Sequence, residues 1–154
     1  MADDLRIRPF RASDRRALIE LWRRAGLLRP WNDPDRDIDR KLALADDLLL
    51  VAHLAADPDE HTMVGTVMLG YDGHRGSLGY LAVDPDHQRR GHGGRLLAAC
   101  EARLIELGCP KLNLLVRTSN AAVVAFYERH GYTVDEVTPL GKRLIADGEE
   151  AVER

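Results

Sequence analysis

Sulfur, surplus positive charge and long apolar runs are all scarce in this chain, and each shortage removes a class of function. The two cysteines, Cys100 and Cys109, lack metal-ligand spacing and are too few for a disulfide framework. A reducing cytoplasm is the compartment this predicts. Lysine and arginine number 22 against 25 aspartates and glutamates, and the resulting formal charge of −3 speaks against a general nucleic-acid binder. The six histidines are scattered singly and outline no metal site. No apolar run approaches membrane-spanning length, and the acidic start of the chain has no apolar core of the secretory kind, so neither membrane association nor a signal peptide is expected. What is present is ordinary for a globular domain: 154 residues, 45% apolar and 31% charged, enough to bury one core without staples. Residues 1–146 read as a single domain, and the charged stretch 147–154 as a frayed tail.

Periodicity divides the chain into alternating elements. Leu5 to Phe10 alternates as a short strand. Ser13 is the expected cap of a helix whose face carries Ala17, Leu18, Leu21, Trp22 and Ala25 and which stops at Gly26. Asp33 before Pro34 has the form of a cap followed by proline at the first helical position. Leu48 to Ala55, Met63 to Tyr71 and Ser77 to Val83 read as strands separated by polar turns. A helix with Leu96, Leu97, Cys100, Leu104 and Leu107 on one face follows, then a strand at Lys111 to Val116. Thr118 or Ser119 is the expected cap of a last helix, which runs to about His130. Tyr132 to Val137 and Lys142 to Ile145 are expected as closing strands. The order βααβββαβαββ predicts an α/β fold, one mixed and mostly antiparallel sheet flanked by helices.

The segment Val83-Asp84-Pro85-Asp86-His87-Gln88-Arg89-Arg90-Gly91-His92-Gly93-Gly94-Arg95 carries the most chemistry. It joins an apolar strand to an amphipathic helix through glycines mixed with arginines, which leaves backbone N–H donors and the positive helix end for a phosphate or pyrophosphate. A dinucleotide fingerprint would need a glycine where Leu96 stands, and no Lys-Ser or Lys-Thr pair follows the glycines, so the Rossmann loop and the P-loop are both excluded. A tight connection without a ligand is the competing reading of such a loop. What remains is Gln-x-x-Gly-x-Gly at Gln88, Gly91 and Gly93.

That pattern resembles the coenzyme A loop of the GNAT (Gcn5-related) N-acetyltransferases. One strand later, Asn120 and Tyr127 stand seven apart on one helical face, closed by Gly131-Tyr132, as in the same family. The blocks 27–34, 65–76 and 141–145 are similar to the YpeA-type subgroup of bacterial GNAT proteins. The resemblance covers nearly the whole chain.

The resemblance implies direct transfer of an acetyl group from acetyl-CoA to a primary amine of a small molecule or peptide, with no metal. It implies that Arg89, Arg90, Gly91, His92, Gly93 and Gly94 offer main-chain N–H groups to the pyrophosphate, with Gln88 in the same loop and Arg89, Arg90 and Arg95 flanking the phosphates. Leu81 and Val83 would pair with the pantetheine as an added half-strand, and the N–H near Ala82 or Val83 would stabilise the oxyanion. Tyr127 would protonate the leaving thiolate, and Asn120 would touch the coenzyme or hold the loop. Many relatives carry a glutamate on the strand before the loop, but Ser77 to Val83 has no carboxylate. Deprotonation of the amine then runs through water or through another group, with Asp72, His74 and Asp33 as candidates. His74 has the better intrinsic pKa, and Asp72 equally well shapes its turn. Trp31, Asn32 and Asp33 are candidates for the acceptor side. Asp33, Asp35 and Asp37 would suit a cationic amine, although Asp33 also serves as a cap. The alternative is a non-catalytic acyl-CoA sensor, against which Tyr127 argues. A retained fold with a vestigial site is disfavoured by the intact loop spacing. A homodimer is expected from exposed strand edges.

Overall fold

Residue alternation along the second strand sets the layers of the molecule. Leu50 and Ala52 point to one side of the sheet and Leu49 and Val51 to the other, all buried, so the strand reads as a continuous apolar run. The computed structural model describes residues 4–148. Five strands, β1 (Leu5–Pro9), β2 (Leu49–Leu54), β3 (Gly65–Tyr71), β4 (Gly76–Val83) and β5 (Leu112–Leu114), form one sheet in sequence order. The first three pairings are antiparallel and the β4–β5 pairing is parallel. This is the mixed, helix-flanked sheet expected from the element order.

One face is covered by α1 (Arg15–Arg24) and α2 (Pro34–Ala43), which bring Leu18, Leu21, Trp22 and Ile38 onto Leu49, Val51 and Ala82. The other is covered by α3 (His92–Glu106), which brings Leu96, Cys100 and Leu104 onto Leu50, Val67 and Leu69. The short α4 (Ala121–Arg129) follows β5.

Local chemistry explains where helices begin. Asp33 caps α2 as expected, accepting from the N–H groups of Asp35 and Arg36 at 3.0 and 3.2 Å. Ser13 does not cap α1. It lies inside a 3₁₀ turn (Ala12–Asp14), and the buried Asp14 carboxylate accepts from the Arg11 N–H instead, because Arg8 holds that carboxylate in place. Asn120, not Thr118 or Ser119, caps α4, accepting from the Val123 N–H at 3.3 Å.

The closing strands are not formed. Among the described residues no strand follows β5, and 132–145 runs as irregular chain with Val134, Val137, Leu140 and Leu144 between 74 and 93% exposed. Asp135 and Glu136 stand side by side and break the period-two alternation, and Pro139 removes a ladder donor. The segment is held by side chains: Tyr132 donates to Glu101 at 2.7 Å, and Lys111 pairs with Asp135 at 2.6 Å. Asp147, the first residue of the expected tail, pairs with Arg40 and Arg36 at 2.6 and 3.4 Å. Of that tail, residues 149–154 lie outside the described residues.

Candidate active site

β4 and β5 part company halfway along. Their ladder joins Gly76, Ser77 and Leu78 to Leu112, Asn113 and Leu114 and goes no further. From Gly79 to Val83, β4 keeps β3 on one side and, among the described residues, has no strand on the other. The open edge presents unpaired backbone groups to an extended ligand, which can add to it as a strand does. A bulge lies at the same place: between the pairs Thr66–Ala82 and Met68–Gly79, the single β3 residue Val67 stands against two of β4, Tyr80 and Leu81. Tyr80 absorbs the extra residue with φ +51°, a left-handed conformation that a tyrosine rarely adopts. Beyond the bulge Leu81 and Val83 face α3, while Tyr80 and Ala82 face α1 and α2.

At the end of β4 the buried Asp84 carboxylate caps a 3₁₀ turn (Pro85–His87) by accepting from the Asp86 N–H at 2.9 Å. The Gln88 side-chain amide donates to the Val83 carbonyl at 3.2 Å, so Gln88 fastens the loop to the strand end. Arg89 and Gly91 both take positive φ, +64° and +80°. Gly91 is also the N-cap of α3 and has no side chain to give, so no side chain caps the first turn, and the N–H groups of Gly93 and Gly94 there could hold an anion. Arg89 and Arg90 are exposed beside them. The His92 side chain is buried, 3.3 Å from an Arg95 nitrogen, and so does not reach the open side of the loop.

The last two glycines have a further reason. A Cβ on Gly93 would stand 3.3 Å from the Phe126 ring, and one on Gly94 would stand 2.6 Å from His130 Nε2. They let α4 lie against the start of α3. Tyr127 on α4 is buried, edge-on to Phe126 and Tyr132 with centroids 5.1 and 5.5 Å away. Burial pushes its phenol up to about 12, so the hydroxyl is protonated at neutral pH. Asn120, at the exposed start of the same helix, is occupied as its cap.

The model of the "Acetyltransferase (GNAT) family" matches residues 15–132. The chain belongs to this family. An acetyltransferase of Pectobacterium atrosepticum is 52% identical over 146 residues, 94% of this chain and 99% of its own. The ribosomal-protein-S18-alanine N-acetyltransferase of Escherichia coli superposes with TM-score 0.67 at 26% identity, over 83% of this chain and 77% of its own. The PaiA N-acetyltransferase of Thermoplasma acidophilum, solved in complex with coenzyme A, superposes with TM-score 0.70 at 20% identity, over 88% and 93%. The protein is thus an acetyl-CoA-dependent GNAT N-acetyltransferase.

The acetyltransferase's other face gathers residues from distant parts of the chain. Trp31, half-buried in the α1–α2 loop, lies under the Arg117 guanidinium at 5.7 Å, and Asn32 accepts from Arg143 at 3.3 Å. Asp33 is spent on its helix cap. Asp72 and His74 are not brought to this site. They sit in the β3–β4 turn, at the opposite end of β4 from Val83, a span of roughly 23 Å at the strand's rise per residue. The Asp72 carboxylate accepts from the His74 and Arg75 N–H groups, both at 2.7 Å, and these bonds hold it below the usual carboxylate range. It shapes the turn.

Sequence reasoning missed Tyr80. Its hydroxyl donates to Asp37 on α2 at 2.6 Å, and its ring stacks on the buried Trp22 with centroids 3.9 Å apart. Burial and the Asp37 carboxylate together push that phenol well above its ordinary value. The carboxylate that β4 lacks in sequence is therefore delivered to it in space. Nothing in Leu78-Gly79-Tyr80-Leu81 signals a left-handed tyrosine, although the acidic first turn of α2 was visible.

Proposed function

We propose that this acetyltransferase moves the acetyl group directly to a primary amine of a small molecule or peptide, with donor and acceptor meeting in the gap between β4 and β5. The observation that carries the reading is the open edge of β4 from Gly79 to Val83, immediately followed by the uncapped start of α3. The amine nitrogen attacks the thioester carbonyl, the C–N bond forms, the C–S bond breaks, and nitrogen gives up one proton. N–H groups at Ala82 or Val83 hold the developing oxyanion. Tyr127, on the α3 side and in the general-acid position, donates a hydrogen bond from its phenol to the departing sulfur. With its phenol raised to about 12, Tyr127 is a stronger hydrogen-bond donor than proton giver, and it holds the thiolate until solvent reprotonates it.

The amine arrives on the α1–α2 side, where Asp37 through Tyr80 is the counter-ion for an ammonium and the destination of the released proton. Trp31 and Asn32 wall that side. An amine near pKa 10.4 is almost wholly protonated at pH 7, so a carboxylate there favours capture of the cation that must then be neutralised. The cytoplasm and a homodimer through the open β5 edge complete the reading. Two thiols without framework spacing support the first, and the exposed apolar residues of 132–145 support the second. Among the described residues no helix is long and apolar enough to cross a membrane.

Calorimetric titration with acetyl-CoA tests the proposal. Micromolar binding that Gly91→Glu abolishes and Tyr127→Phe leaves intact is expected. Absence of binding by the wild type would overturn it.

A further inference from the structure

The loop that meets the coenzyme is preceded by two carboxylates, Asp84 and Asp86, whose charge opposes a pyrophosphate. Neither is left alone. Arg24, the last residue of α1, reaches across to both: one guanidinium nitrogen bonds the Asp84 carboxylate, and the other pairs with Asp86 at 3.0 Å. Asp84 is buried, while the Asp86 side chain is 77% exposed. Asp84 also takes the Asp86 N–H and the His87 ring nitrogen on its second oxygen, at 2.9 and 3.4 Å, and its own N–H donates to the Val64 carbonyl at 2.8 Å. The only cation bridging the two carboxylates among the described residues is Arg24.

From this we infer that Arg24 is a positioning residue for coenzyme binding, acting through Asp84 and Asp86. It fixes the start of the loop and cancels the negative charge beside the pyrophosphate site. A planar guanidinium suits this role because it offers separate nitrogens to two acceptors at once. Its place at the carbonyl end of α1 adds the favourable pole of that helix. The next residues after Arg24 form the α1–α2 loop, so the same side chain ties the coenzyme loop to the acceptor wall. The inference rests on the coenzyme being held by residues 88–94.

The test is titration of CoA into wild type, Arg24→Ala, Asp86→Asn and the double variant, at about 0.1 M and about 1 M salt, where the Debye length falls from about 10 to about 3 Å. Arg24→Ala is expected to weaken CoA about tenfold at low salt, less than the direct loss of a buried charge pair at an interface because Arg24 acts on the coenzyme through Asp84 and Asp86. The double variant should recover at least about threefold of that loss, and the variants should converge at high salt. A merely structural arginine would give a loss that neither Asp86→Asn nor salt moves, and that result would overturn the inference. If Arg24→Ala does not fold, Asp86→Asn alone decides. With Arg24 then in surplus, CoA should bind about twofold tighter at low salt, and equal or weaker binding would overturn the role. Wild-type protein that binds no CoA would instead overturn the coenzyme site itself, and with it this inference.

Discussion

The two sides of the β4–β5 gap are built on different plans. On the proposed coenzyme side, one contiguous stretch from Leu81 to Arg95 supplies an open strand edge, a turn and an uncapped helix, and the groups it would offer a ligand are main-chain N–H donors. On the acceptor side, contacts join residues 43 to 111 apart in sequence, Tyr80 to Asp37, Arg40 to Asp147 and Asn32 to Arg143, and the groups presented are side chains. Backbone chemistry is the same for every sequence that can fold the loop, so the donor side tolerates only changes that keep its geometry. Side-chain chemistry changes with each substitution, so the acceptor side is where selectivity for an amine is free to vary.

Substitutions can sharpen or break this contrast. The largest effect is expected from Gly91→Glu, which forces a side chain into a left-handed position and sets a carboxylate among the anion donors. Acetyl-CoA affinity should fall by about a hundredfold or more, since strain of about 1–2 kcal/mol adds to charge repulsion. Calorimetry reads it, and retention of affinity would mean that the main chain of this loop does not hold the phosphates. Tyr127→Phe should lower turnover by about a hundredfold, the lower range for a lost general acid, with acetyl-CoA affinity unchanged. Stopped thiol release is the readout, and equal loss of affinity would make Tyr127 a packing residue.

Gly94→Ala should cost about 1–3 kcal/mol in urea unfolding, because its methyl meets the His130 ring that Phe126 O already anchors at 2.8 Å. Asn120→Ala should cost about 1 kcal/mol as a lost cap while leaving CoA affinity within about twofold. A large affinity loss would restore Asn120 as a coenzyme contact. The smallest effect concerns pH. The Arg40 and Arg36 guanidiniums hold Asp147 down to about 2, so their grip is present above the unfolded carboxylate value near 4 and is lost as pH falls through about 2. Tryptic cleavage at Arg143, assayed at neutral pH in Asp147→Asn, should rise as it would on that acid release.

The same contrast explains what could be read from sequence. The Gln88–Gly94 loop and the Asp33 cap depend on neighbours within a few residues, so their physics is local and legible. The family pattern at Asn120 and Tyr127 was legible too, but Asn120 proved to cap its helix. Tyr80 was illegible because its left-handed backbone is imposed by a two-against-one mismatch with β3, and its partner lies on another element, α2. Tyr132–Val137 and Lys142–Ile145 misled because short apolar runs carry no information about whether a neighbouring strand will accept them. Asp72 and His74 were expected to flank the acceptor side through their turn, and the antiparallel β3–β4 turn instead puts them at the far end of β4 from Val83.

The halt of the β4–β5 ladder at Leu78 also makes the sheet a partition with a slot in it. In the proposed reaction, thioester and amine would approach through opposite openings. A single molecule in which an amine is tethered to the sulfur of coenzyme A would thread that slot. Once its coenzyme half is anchored, its amine half is presented to Asp37 and Tyr80 at high effective concentration. A small library of such conjugates, differing only in the amine, would turn the slot into a ruler for the unknown acceptor: the tightest member names the chemistry that the far side was shaped to receive.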